Sequence, residues 1–264
     1  MYLARQKNLF LKKFIFYSLL IILIIKSCKK DDNTVTIRDV ADQALVDDTD
    51  LKKFLETHFY NYEDFEKSDG SKNLEIIIDS IFEENSNKDP LINKVFKKNI
   101  PIESDEGTIN HVLYYLPVKE GIGERPSKVD SVYVSYEGGL LDGSIFDKSL
   151  TPIWFDLTSV VAGFKEGVSE FKPGDFSLNN DNTVNYQNYG QGLIFIPSGL
   201  GYFAQSSSLI PEYSPLIFKI SLFTIKKTDH DGDGILTVDE YDIDNDGVPD
   251  DTDGDGLLDY LDKD

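Results

Sequence analysis

Residues 132–147, VYVSYEGGLLDGSIFD, decide how this chain is read. Val132, Val134 and Tyr136 recur at every second position, the period of a strand with one face buried. An earlier run, His111-Val112-Leu113-Tyr114-Tyr115-Leu116-Pro117, is also strand-like and leads through Gly121 and Gly123 to Pro126. Further strand-like runs follow at 153–157, 176–178, 193–197 and 215–225. Between the first two of these, Thr158 or Ser159 is placed to cap a short helix through Phe164, with Gly167 beyond its end. Many strands and one short helix predict an α+β fold, an antiparallel sheet curled around that helix.

Three later fragments complete the pattern in order: Gly163-Phe164-Lys165-Glu166-Gly167, then Ile196-Pro197-Ser198-Gly199-Leu200-Gly201-Tyr202, then Ile210-Pro211 with Pro215-Leu216-Ile217-Phe218. Together with 132–147 they resemble the FKBP-type peptidyl-prolyl isomerases over roughly residues 110–227. The resemblance implies an FKBP fold, in agreement with the strand pattern. It also implies a prolyl pocket lined by Tyr136, Phe146, Val160, Val161, Phe164, Tyr202, Ile210 and Phe218. By the same resemblance the Val161 N–H meets the substrate carbonyl, the Tyr202 hydroxyl holds the peptide on its other side, and Asp147 is a buried acid that Tyr136 helps position. Taken singly, Phe146, Val160 and Phe218 would be ordinary core residues; the ordered set points to a pocket.

The chain departs from the family pattern at several places. Phe164 stands where Trp is usual, Ile153 where Phe is usual, and Gly199 where an acidic residue is common. The loop 149–152 is short and lacks the Arg that would pair with Asp147. Two residues are absent between Leu157 and Val160. An Asn- and Tyr-rich insert, NNDNTVNYQNYGQG at 179–192, is expected near the pocket rim.

Isomerisation needs no cofactor. A planar peptide bond resists rotation by about 18–20 kcal/mol, and a catalyst need only bind the twisted imide better than the planar one. The expected partners are proline-containing polypeptides. The competing reading is a non-catalytic FKBP-fold binding module of the cell envelope, favoured by the altered floor and the missing Arg. Hydrolytic chemistry has no support, because no Ser–His–acid arrangement is present in this domain.

With 264 residues, 40% of them hydrophobic, the chain can build a sizeable core. Its net charge is −21, and fourteen Asp and one Glu against one Lys lie in the last 36 residues. Nucleic-acid phosphates would be repelled by that balance. Within this tail, Asp229, Asp231, Asp233, Gly234, the backbone carbonyl of Ile235 and Glu240 fit the calcium-loop pattern D-x-D-x-D-G-x5-E. Asp242, Asp244, Asp246 and Asp250 form a second loop, and Asp251, Asp253, Asp255 and Asp259 a third; both lack the final Glu and resemble thrombospondin type 3 repeats. Each places a glycine directly after its third Asp, which random acidic composition would not do. Every expected pocket residue precedes Asp229, so the pocket is expected to work independently of calcium in the tail.

The N-terminus carries Arg5, Lys7, Lys12 and Lys13, an apolar run at 14–25, and then Lys26-Ser27-Cys28. A basic end, a short apolar core and a small residue describe a secretory signal; twelve residues are short of the roughly 20 a membrane span needs. Ile25-Lys26-Ser27-Cys28 resembles a bacterial lipobox, with Cys28 as the lipidated residue, although Lys26 departs from it. Lys29-Lys30-Asp31-Asp32 is similar to the tether of lipoproteins from gliding bacteria, and the whole resembles gliding-motility-associated FKBP-like lipoproteins. The implied location is the cell envelope, lipid-anchored to the outer membrane. Being the one Cys, Cys28 excludes an intramolecular disulfide.

The expected organisation is a signal at 1–28, a tether at 29–46, an N-terminal segment without assigned chemistry at 47–108, the isomerase-type domain at 109–227 and the acidic repeats at 228–264. Asp50 is placed to cap a helix that puts Leu51, Phe54, Leu55, His58 and Phe59 on one face. Residues 74–82 read equally as a strand or a short buried helix.

Overall fold

A computed structural model describes residues 37–68, 74–104, 107–244 and 247–263. The signal, Cys28 and most of the expected tether therefore lie outside the described residues. Among the described residues no helix is long and apolar enough to cross a membrane. Residues from Arg38 onward form one compact unit.

The central element is a six-stranded antiparallel sheet. Its strands are β3 (Phe96–Ser104), β4 (Gly107–Lys119), β5 (Ser131–Leu140), β6 (Ile145–Asp156), β9 (Gly190–Ile196) and β10 (Leu216–Lys226), in the order β3-β4-β9-β10-β5-β6. The alternation seen at 132–136 is real: Val132, Val134 and Tyr136 all face the core. They are joined there by Leu113, Ile194, Ile196, Leu216, Phe218, Ile220 and Leu222, all packed around Phe164 and Val168 of helix α3 (Ala162–Val168). Strand β9 is buried along its whole length, because Leu193 and Phe195 face the opposite side and are covered there too.

That cover is helix α1 (Val40–Thr57), whose Leu51, Phe54 and Leu55 rest on Tyr114, Leu116, Leu193, Phe195 and Ile217. Here the sequence reading needs correction. The helix starts ten residues before Asp50; its N-cap is Asp39, whose carboxylate accepts from Asp42 N at 2.8 Å. Residues 40–46 are thus helix, not tether, and Gln43 and Asp47 within the helix are buried. The helix ends at Thr57, so His58 opens strand β1 (His58–Tyr60) with its ring stacked on Phe54 at 3.9 Å. Strand β1 pairs with β2 (Ile78–Ser80), which settles part of 74–82 as strand. Short helix α2 (Tyr62–Lys67) lies between them in sequence. Strand β3, placed by sequence in the N-terminal segment, pairs with β4 from Phe96↔Tyr115 to Ser104↔Gly107 and belongs to the main sheet.

Two further expectations fail for steric reasons. Gly167 does not end the helix but lies inside it, and neither Thr158 nor Ser159 caps it; Val161 occupies the N-cap without a side-chain bond. A Cβ on Gly163 would come within 2.1 Å of Ile196 Cγ2, and one on Gly167 within 2.4 Å of Ile194 Cγ2. The two glycines, one turn apart, let the helix lie directly on β9. The 179–192 insert is not at the pocket rim. Residues 179–187 supply the turn and second strand, β8 (Val184–Gln187), of a hairpin whose first strand is β7 (Asp175–Leu178), and Tyr186 packs on Tyr133 and Phe223, each at 5.5 Å, on the face opposite Phe164. The insert's Tyr186 helps to cover that face.

Candidate functional site

On the concave face, five aromatic rings close on one another. Phe164 of α3 meets Phe218 of β10 at 5.1 Å and 76°. Phe218 meets Phe146 of β6 at 5.6 Å and 81°, and Phe164 meets Phe155 at 5.6 Å and 82°. Tyr136 of β5 closes the set against Phe155 at 5.3 Å. The three Phe–Phe contacts are near-perpendicular and set positive ring edges against negative faces, an arrangement favoured beyond simple burial. Val160, Val161 and Ile210 pack against the same cluster.

Gly138 makes the arrangement possible: a Cβ there would lie 2.6 Å from Phe146 Cζ. Sequence reading saw this glycine as part of a motif but assigned it no role, and it missed Phe155, which reads as a core-strand residue. Phe164 and Phe218 are buried, whereas Tyr202 is 41% exposed at the mouth. The loop bearing Tyr202 is held by a Tyr213 N–H bond to Phe203 O at 2.7 Å and by Arg38, whose guanidinium sits 4.3 Å above the Tyr213 ring.

The Tyr136 hydroxyl donates to Asp147 Oδ2 at 2.6 Å. Burial, that hydrogen bond, the Asp147 charge and the nearby Tyr202 phenol push the Tyr136 pKa up to about 12. Asp147 itself is exposed rather than buried; residues 149–152, expected as a loop, are an irregular stretch within β6, where the register shifts between Ser149 and Ile153. The Val161 carbonyl accepts from Phe164 N and Lys165 N, starting α3, while the Val161 N–H has no acceptor among the described residues. A free, preorganised donor beside an aromatic enclosure can bind a carbonyl oxygen as it rotates out of conjugation.

Gly199, where an acidic residue is common in the family, has a local cause. A Cβ there would come within 2.2 Å of His111 Cε1. His111 is 1% exposed and neither ring nitrogen has a partner. Burial lowers its pKa, with the Asp47 charge acting the other way. Asp47, also buried, accepts from Gln43 Nε2 and from both Ser198 N and Ser198 Oγ, each at 2.7 Å. This polar cluster ties α1 to the turn preceding Tyr202. Two clefts of about 300 and 380 Å3 lie around Glu137 and Lys219, and Tyr136 also lines the smaller one.

In the tail, carboxylate oxygens of Asp229, Asp231 and Asp233 converge within 4.8 Å; so do those of Asp242, Asp244 and Asp250, and those of Asp251, Asp253 and Asp255. Left-handed glycines, including Gly234 at φ 105° and Gly256 at φ 97°, turn the loops. Asp246 lies outside the described residues. Asp259 is not in the third cluster: its oxygens accept from Thr252 N and Thr252 Oγ1 at 2.7 and 2.6 Å. Oxygens of Asp231, Glu240 and Asp242 are buried without a hydrogen-bond partner. Burial and the charges of Asp233, Asp231 and Asp229 raise the Glu240 pKa. Helix α4 (Thr237–Glu240) is too short for an EF-hand pair. Ile235 donates its N–H to Asp233 Oδ1 at 2.7 Å, which fixes the backbone at the position expected to offer its carbonyl.

The fold and the enclosure define a domain of one class. Residues 123–223 match the model of the FKBP-type peptidyl-prolyl cis-trans isomerases, and this part of the chain is similar to that family. Over 117 residues it is 35% identical to a probable FKBP-type peptidyl-prolyl cis-trans isomerase FkpA of Neisseria meningitidis, covering 43% of this chain and 38% of that one. FkpA of Aeromonas hydrophila is 27% identical over 211 residues, 77% of this chain and 69% of the relative. The outer membrane protein MIP of Legionella longbeachae is 31% identical over 119 residues, 44% and 45% of the respective chains. The chain thus spans between 38% and 69% of these relatives' lengths.

Proposed function

We propose that the chain is a peptidyl-prolyl cis-trans isomerase acting on exported, proline-containing polypeptides of the cell envelope. The observation that carries this reading is the five-ring enclosure beside a Val161 N–H that has no acceptor among the described residues. The proline ring sits among Phe146, Phe164 and Phe218. There the imide loses the water that favours its planar, more polar form. The Val161 N–H and the Tyr202 hydroxyl hold the two sides of the peptide while the bond rotates. No nucleophile, proton transfer or cofactor enters. The test is exchange of an X-Pro peptide with a bulky apolar residue before proline, using residues 29–264. A rate equal to the uncatalysed one would favour the binding-module reading, in which the same enclosure holds a partner without turnover.

Cys28 is proposed as the lipidated residue that tethers the protein to the outer membrane, in the manner of gliding-motility-associated FKBP-like lipoproteins; a relative named as an outer membrane protein supports an envelope location. Equal incorporation of labelled fatty acid with and without Cys28 would sink this.

The tail is proposed to bind calcium through Asp229, Asp231, Asp233, Ile235 and Glu240, with Asp242, Asp244, Asp250 and Asp251, Asp253, Asp255 forming further sites. The donor set is all hard oxygen, which suits that ion. The buried oxygens of Asp231, Glu240 and Asp242, without hydrogen-bond partners, suit cation ligands better than a solvated spacer. Binding energy at such loops is largely folding energy, with affinities expected on the order of 10⁻⁴–10⁻³ M for extracellular modules. Calorimetric titration of the chain with calcium tests this, and a flat response up to roughly ten times that range would exclude it.

A further inference from the structure

The first acidic loop does not hang free of the isomerase-type domain. Thr228 and Thr237 at its two ends are both buried. Thr228 Oγ1 donates to Val129 O at 2.6 Å, and Thr237 N donates to Thr228 O at 2.9 Å. Between them His230 points back into the domain. Its Nε2 lies 2.8 Å from Asp156 Oδ2 and its Nδ1 2.7 Å from Thr237 Oγ1. Since the carboxylate can only accept, the network assigns the proton to Nε2 and leaves Nδ1 to accept from the threonine.

Asp156 is the residue that starts the turn toward the site. Its Oδ1 accepts from Thr158 N at 2.9 Å and Thr158 Oγ1 at 2.7 Å, capping the single turn Leu157–Ser159. That turn delivers Val160 and Val161, and Val161 begins α3 with no side-chain cap of its own. Asp156 is therefore the carboxylate that orients the segment presenting the Val161 N–H, and His230 holds its second oxygen. A second contact acts on the same helix: Lys165, the residue after the Phe164 floor, places its ammonium 6.0 Å from the centre of the Tyr241 ring.

We propose that Asp156 and His230 are positioning residues of the isomerase-type site, so that the first acidic loop is part of the machinery that orients the Val161 donor. The proposal rests on the isomerase reading above and alters one expectation drawn from sequence, that pocket and tail act separately. His230 touches no substrate; it fixes Asp156, and Asp156 fixes the turn. A loosened turn leaves the aromatic rings in place and misaims the donor, so turnover falls while peptide binding is kept.

The experiment compares the full chain with its His230→Ala, His230→Gln and Asp156→Ala variants on an X-Pro peptide, and follows the Val161 amide in each by NMR shift and hydrogen exchange. A glutamine amide can still donate to Asp156. The expected result is a kcat lowered about three- to tenfold in the two alanine variants, KM within a factor of about two, a shifted and faster-exchanging Val161 amide, and recovery of both readouts in His230→Gln. If the wild type shows no turnover but its Val161 amide responds in this pattern, the isomerase reading fails and the positioning role stands. A Val161 amide and kcat unchanged in His230→Ala would overturn the proposal. So would a glutamine variant that folds with the wild-type melting temperature and restores neither readout.

Discussion

Tyr136 on β5 gives its hydroxyl proton to Asp147 on β6 at 2.6 Å, linking a buried phenol in the enclosure to an exposed carboxylate at its edge. Because the acid is open to water, the bond serves orientation of the phenol more than stability.

A Tyr136→Phe variant should accordingly lose about 0.5–1.5 kcal/mol and a larger share of its isomerase activity. The alkaline behaviour gives a second readout. The unfolded phenol ionises near pH 10 and the folded one at about 12. Between those values the unfolded chain holds fewer protons, so the stabilisation is complete below pH 10 and is lost as pH rises through about 12. Denaturation of wild type and variant at pH 9 and about 11 checks this: the variant should show the shallower decline.

Acid should act through His111. Burial lowers its folded pKa below that of the unfolded chain, so the unfolded state binds the extra proton first. Stability from the neutral ring is complete well above the unfolded value of about 6.5 and is lost as pH falls through that value toward the folded pKa. A His111→Leu variant should show a flatter stability profile between about pH 7 and 5. An unchanged profile would mean that the ring does not titrate in this window.

Gly199→Ala should destabilise the domain by about 1–3 kcal/mol, because its new methyl meets the His111 ring. Combining it with His111→Ala should recover part of that cost, and a double-mutant cycle reads the coupling directly.

Gly167→Ala separates two physical effects of opposite sign. Helix propensity alone favours alanine by about 1 kcal/mol, whereas the Ile194 contact at 2.4 Å predicts a net loss of about 1–3 kcal/mol. Urea denaturation decides between them. Activity should fall as well, since α3 carries Phe164 and would be pushed off β9.

Among the pocket residues, Tyr202→Ala should lower kcat/KM with little change in melting temperature, because that ring is 41% exposed. Phe146→Ala should lower both. The family resemblance makes Phe164→Trp attractive, but Phe155 and Phe218 already stand 5.6 and 5.1 Å from the Phe164 ring. The larger indole is therefore expected to cost about 1–3 kcal/mol of stability, measured by thermal unfolding alongside the isomerisation rate.

Much of the site was readable in the chain itself. The alternation of Val132, Val134 and Tyr136, and the ordered fragments containing Phe164, Tyr202 and Phe218, name residues that the fold does bring together. Strand periodicity and motif order are local properties, and local sequence carries them. What tertiary structure alone decided was which neighbours compete for the same space. Gly167 read as the end of the helix, and Gly163 as a motif residue without a role, until Ile194 and Ile196 were found against them. Gly199 read as a departure until His111 was found beneath it. The 179–192 insert read as a rim until its Tyr186 was found on the opposite face with Tyr133. His230 and Asp156 lie 74 residues apart, and no periodicity links them. Local sequence carried the alternation of faces along a strand and the side-chain chemistry available there. Contacts between distant segments depend on packing and close approach in three dimensions, and they alone determined where the glycines were needed and how the acidic loop reached the site.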